Sequence, residues 1–103
     1  MSNYHEPAEE LSAHARDISR ALVSLKEEIE AVDWYNQRIN VSKNEDLKRI
    51  LKHNMDEEIE HACMTLEWLR KNMEGWDVKL REELFTDEES GSGLPDLSIG
   101  KIK

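Results

Sequence analysis

Glu58 and His61 stand three residues apart in the run Glu57-Glu58-Ile59-Glu60-His61. On a helix that spacing points a carboxylate and an imidazole the same way, one turn apart. Upstream, Glu27-Glu28-Ile29-Glu30 supplies a second acidic cluster. Carboxylate oxygens with some imidazole nitrogen suit Fe(II), Fe(III) and Mn(II). One Glu plus one Glu-x-x-His is half of the ligand set of a di-iron carboxylate helix bundle. The sequence carries this half-set once, which implies that a second copy supplies the rest. Glu28, Glu58 and His61 are thus the candidate ligands, Glu58 to bridge or chelate and His61 to bind terminally. Two half-sites about a two-fold axis would give four Glu and two His.

Helical spacing places Glu28 on one face with Ala21, Ser24, Val32 and Tyr35. The small residues leave space there, and Tyr35 is placed to hydrogen-bond a ligand. Glu27 and Glu30 flank Glu28 and would draw cations toward it. His53, Glu57 and Glu60 follow at four- and three-residue steps on helix 2, a possible weak outer metal site. Trp34, Trp68 and Trp76 read as core or interface residues, and Cys63 as a small buried hydrophobe. The competing readings are simple. A charged helix face is usually just solvated, and polar groups on a seam can set register and partner choice without catalysis. A non-catalytic acidic oligomerisation or metal-binding module therefore stands beside the redox reading, as does a Mn or Zn binder on the same scaffold.

The elements that must position these residues are helices. Leu11, Ala15, Ile18, Leu22, Leu25, Ile29, Val32 and Ile39 mark a heptad seam over a first helix from about Ala8 to Ile39. Pro7 suits a first helical turn. A break follows at Asn40–Asn44, where Ser42 and Glu45 read as a capping box for a second helix reaching Asn72. So short a connection makes the pair antiparallel. The second helix has an apolar stripe of Met55, Ile59, Ala62, Leu66 and Leu69. Beside it runs a seam of Leu47, Leu51, Asn54, Glu58, His61 and Thr65 that turns polar in its middle. Burying Glu58 and His61 there is costly unless something pairs with them, and a metal ion would. After Gly75, Trp76 to Phe85 predicts a short third helix.

The chain has 103 residues, a formal net charge of -9 and a predicted pI of 4.9. Such acidity argues against nucleic-acid binding. No apolar leader or long apolar run predicts a membrane span or secretion, so a cytoplasmic protein is expected. The single cysteine forbids an intrachain disulfide. Two helices bury too little apolar surface to stand alone, so oligomerisation is expected. Residues 1–7 read as a flexible lead and 86–93 as a flexible linker rich in Ser and Gly. Residues 94–103 place Leu97, Ile99 and Ile102 on that leash, the pattern of a docking peptide, with a frayed terminus as the equally weighted alternative reading.

Three stretches taken together carry a resemblance: Glu27 to Arg38, His53 to Ala62, and Met64 to Arg70. They resemble the encapsulated ferritins, cargo proteins of encapsulin nanocompartments. The resemblance covers roughly Ile18 to Phe85 plus the tail. It implies an all-α fold in which 8–85 form a two-helix hairpin with a short C-terminal helix. Two hairpins would dimerise into a ferritin-like four-helix bundle, and dimers would close into a ring, a decamer by the family pattern. It implies a ferroxidase, oxidising Fe(II) with oxygen at a di-iron centre of Glu28, Glu58 and His61 across the dimer. Tyr35 and Trp34 would be the aromatic pair beside it. Glu27 and Glu30 would form an uptake site, and His53, Glu57 and Glu60 the weaker outer site. The tail resembles an encapsulin-targeting peptide that places the protein inside the shell. It departs from the usual pattern by ending Lys101-Ile102-Lys103.

Overall fold

Ser12, rather than the residues after Pro7, starts the first long helix. In a computed structural model that describes residues 4–87, α1 spans Ala13–Val41, α2 spans Glu45–Asn72 and α3 spans Trp76–Glu83. Ser12 takes an extended backbone and its hydroxyl accepts from the Ala15 N–H at 3.0 Å, the geometry of an N-cap. Residues Ala8–Glu10 form a separate 3-10 turn instead of the expected first helical turn. Arg16 pins that turn, donating from Nε and Nη2 to the Ala8 carbonyl at 3.1 and 2.7 Å. At the other end α1 runs two residues beyond the expected Ile39.

The capping box expected at Ser42 and Glu45 does not form. Ser42 closes α1, its N–H reaching the Arg38 carbonyl at 2.9 Å, and its hydroxyl accepts from the Asn44 N–H at 3.2 Å. Asn44 caps α2, accepting from the Leu47 N–H at 2.9 Å. Asn serves this position as well as Ser does, and the nearer candidate takes it.

The turn and the far end fix the register of the hairpin. Val41 and Glu45 bound the turn, and His14 Nε2 donates to the Asn72 carbonyl at 2.9 Å across the open end. The helices are therefore antiparallel, with equal arms on both sides. Along α1 the half-buried stripe holds Ala21, Ser24, Leu25, Glu28, Val32, Tyr35 and Ile39. Along α2 it holds Leu51, Asn54, Met55, Glu58, Ala62, Thr65 and Leu66 and the fully buried Leu69. Ile29, expected on the seam, is 57% exposed. Each residue turns a helix by about 100°, so a stripe that takes Glu28 must leave Ile29 aside. Ile59 and Leu47 are exposed too, contrary to their expected places on the α2 stripes.

Leu69 is the one buried hydrophobe among the described residues, while Trp34, Met64, Trp68 and Phe85 are exposed. The hairpin thus leaves large apolar side chains on its surface. None of its helices is long and apolar enough to cross a membrane among the residues described.

A charged elbow joins α3 to α2. Gly75 has φ +103°, a left-handed value that a side chain disfavours, and it lets the chain double back. Arg70 then clasps the two helices. It donates to both Glu67 carboxylate oxygens at 2.7 and 2.8 Å and to Asp77 Oδ1 at 2.6 Å. Arg81 holds Asp77 from the other side at 2.9 Å. The hydrogen bonds from Arg70 hold the Glu67 carboxyl down to about 2, and those from Arg70 and Arg81 lower Asp77 likewise. These groups are solvent-washed, so the clasp fixes direction more than it adds stability. The lead at 1–3, and the linker and tail from 88 onward, lie outside the described residues.

Candidate metal centre

Thirteen residues inward from each side of the turn stand Glu28 and Glu58. Counting fourteen inward from His14 and from Asn72 arrives at the same two residues. The register therefore sets the two carboxylates level with each other on facing helices, both on the half-buried stripe. The spacing of ligands within one helix could not give this; it needs equal distances from the turn to each Glu.

The Glu28 side chain is the more telling of the two. Its Oε1 is buried and has no hydrogen-bond partner. An unsatisfied buried carboxylate oxygen costs on the order of 1–3 kcal/mol or more, and such groups mark places where a partner is missing. Glu58 has a side chain 28% exposed, and its Oε1 lies 3.6 Å from His61 Nδ1. His61 is 51% exposed and stands outside the stripe, contrary to its expected place on the seam. The structure thus sets Glu28 level with Glu58, with His61 beside Glu58 one turn along, but forms no group of three or more ligands able to hold a metal within the described residues of a single chain. The donors fit a hard or borderline cation in type, oxygen first with one nitrogen. Their number fits half a site.

The other candidate residues distribute around this pair. Glu27 and Glu30 are exposed on the solvent side of α1, flanking Glu28. Tyr35 is half-buried on the stripe, with the Arg38 guanidinium 5.3 Å above its ring. That is a cation–π contact, which leaves the Tyr35 hydroxyl out of the interaction. Trp34 is exposed beside it. His53 Nε2 approaches Glu57 Oε2 at 3.5 Å, and Glu60 lies exposed one turn on. Cys63 is exposed, not buried as its type suggested. Exposed Met64 and Trp68 continue the His61 side of α2.

The chain matches the family described as EncFtn-like over residues 3–87. It belongs to that family. A "Ferritin-like protein" of Thermotoga maritima is 62% identical to this EncFtn-like chain over 110 aligned positions, covering 96% of each. An "Encapsulated ferritin-like protein" of Rhodospirillum rubrum is 54% identical over 83 positions, covering 81% of this chain and 59% of that protein. The "Encapsulin nanocompartment cargo protein EncC" of Myxococcus xanthus is 36% identical over 56 positions, covering 53% and 43%. Among solved structures, that of a Nitrosomonas europaea protein superposes with a TM-score of 0.80 at 53% identity, covering 84% of this chain and 94% of the other. The resemblance read from the three sequence stretches is thus correct, and the EncFtn-like chain is all-helical: a long hairpin with a short third helix.

Sequence reasoning missed the role of Arg70 in setting α3 and the tie from His14 to the end of α2. The first was legible in principle, because Glu67, Arg70, Asp77 and Arg81 are separated by steps of three, seven and four. The second was not, because it joins residues 58 positions apart.

Proposed function

We propose that two copies of this EncFtn-like chain pair through the side bearing His61, Met64 and Trp68, and so complete a di-iron ferroxidase centre. The observation that carries the reading is the buried, partnerless Oε1 of Glu28 level with Glu58. In the pair, Glu28, Glu58 and His61 of each copy converge, and the two-fold axis doubles three ligands to six. Iron is the substrate: two Fe(II) ions bind, and each gives one electron to oxygen. The carboxylates offset the charge of the two cations and hold them close. His61 is a terminal ligand that leaves oxygen room to approach. Glu27 and Glu30 raise the local concentration of cations at the way in. His53, Glu57 and Glu60 form a weaker outer site, and Tyr35 and Trp34 line the centre.

The names of the Rhodospirillum and Myxococcus relatives support a place inside an encapsulin shell. On this reading residues 94–103 dock the protein to the shell, the pairs close into a ring, and the shell holds the oxidised iron within the cytoplasm.

The test is aerobic Fe(II) oxidation by the purified full chain over a dilution series, with the assembly state measured alongside. The rate per chain should fall as pairs dissociate, because one chain holds only half the ligands. A rate per chain that persists in monomers would overturn the shared site. Removing Leu94 to Lys103 should leave oxidation intact and abolish co-purification with the shell protein.

A further inference from the structure

Asn54 is a polar residue with no visible work. It lies half-buried on the α2 stripe, one turn before Glu58. The register that levels Glu58 with Glu28 also levels Asn54 with Val32, each four residues nearer the turn. An amide at such a place is costly unless it is hydrogen-bonded. The other described asparagines all are. Asn40 and Asn72 donate their amides to the carbonyl one turn back, at 2.7 and 2.9 Å. Asn44 caps α2, and Asn36 accepts from Asn40 at 3.4 Å. Asn54 makes no hydrogen bond with any described residue, not even the bond to the preceding turn that Asn40 and Asn72 make.

The lean of helical side chains says what this amide can reach. Cα–Cβ bonds tilt toward the helix N-terminus, so a long side chain covers the turn before its own. Glu58 therefore leans toward Asn54. In the single chain its carboxylate is engaged on the other side, with Oε1 3.6 Å from His61 Nδ1. When Glu58 and His61 both bind a cation, that mutual contact gives way, and the carboxylate needs a new support. The idle amide stands one turn away.

We propose that Asn54 is a positioning residue of the iron site: its Nδ2–H donates to the Glu58 carboxylate once Glu58 and His61 bind metal, and so fixes the direction in which that carboxylate meets the cations. Carboxylates that bind metals are themselves held by hydrogen bonds, and losing such a support costs about 10–100-fold in metal affinity or activity. An amide donates without placing a positive charge beside the cations, as Lys or Arg would. This role presupposes the shared site proposed above and adds to it a residue that touches no metal.

The experiment uses the full chain with two variants. Asn54→Leu keeps the bulk and removes the donor. Asn54→Gln keeps the amide on a side chain that still spans four residues of a helix. Affinity is read by anaerobic titration with Co(II), whose visible absorption reports binding, and the KM for Fe(II) from aerobic oxidation rates. Metal-free melting and sedimentation velocity are measured alongside. Asn54→Leu should bind Co(II) about 10-fold or more weakly. Its KM for Fe(II) should rise by a similar factor, with a smaller change in kcat. It should keep the wild-type size and melt at or above the wild type, because a half-buried amide without a partner is gone. Asn54→Gln should recover most of the affinity. Unchanged Co(II) affinity in a folded Asn54→Leu overturns the proposal and leaves the shared iron site standing. A changed size or a lower metal-free melting temperature overturns it too, since Asn54 would then set the register of the assembly. So does equal weakening in both variants, because the amide would not be the group that matters. A wild type that binds no Co(II) overturns the shared site itself, and this role with it.

Discussion

Glu58→Ala is expected to lower the initial rate of aerobic Fe(II) oxidation by about 100-fold or more while leaving helicity unchanged. Even partners that only orient metal ligands cost about 10–100-fold when removed, and Glu58 is proposed as a ligand. Two-fold symmetry doubles the effect, since one substitution deletes a carboxylate from both halves. The fold should survive, because Ala is a better helix former than Glu and the stripe position loses a half-buried charge. Near-ultraviolet absorbance against a protein-free control gives the rate, and far-ultraviolet circular dichroism gives the helicity. Retention of the wild-type rate in a folded variant would remove Glu58 from the centre. It would return the chain to the reading of an acidic helical module.

Glu28→Leu should separate stability from function in opposite directions. In the metal-free protein the Glu28 Oε1 is buried without a partner. Replacing it with an apolar side chain removes a penalty of about 1–3 kcal/mol. The metal-free variant should therefore melt higher than the metal-free wild type. Added Fe(II), under anaerobic conditions, should raise the melting temperature of the wild type, because a ligand that binds only the folded state stabilises it by mass action. The variant should lose that response together with oxidation. Functional sites often trade stability for chemistry in this way. A metal-free Glu28→Leu that melts lower than the wild type would mean that the carboxylate has a protein partner in the assembly.

Much of this was legible because the neighbours of the three candidate ligands repeat at helical spacing. Glu58 and His61 could be matched from sequence to one turn of one helix, and Glu28 to its face with Ala21 and Tyr35. The apolar seam misled at Ile29, where a strict heptad track was followed and the real stripe passes one residue earlier, through Glu28. That error hid the strongest signal, a carboxylate sitting where a leucine would pack. The caps were misread at Ser42 because Ser and Asn are equivalent N-caps, and residue type alone does not choose between them. The exposure of Phe85 and its left-handed backbone had no sequence signature. Neither did the tie between His14 and Asn72, which depends on the length of the whole hairpin.

The equal arms of the hairpin carry a consequence for how such a chain can change length. Residues added within the turn at 42–44 leave both helices in phase and shift the carboxylates only through a local readjustment of the loop. One residue added between Asp46 and Glu57 turns Glu58 by about 100° and slides it by about 1.5 Å relative to Glu28. The matched residue added between Glu28 and Asn40 would restore the level but not the phase, since both carboxylates would then be rotated off the stripe. Length variation should therefore be confined to the turn and to segments outside the helices. The distance along the chain from the turn to each Glu is as much a part of the site as the residues themselves.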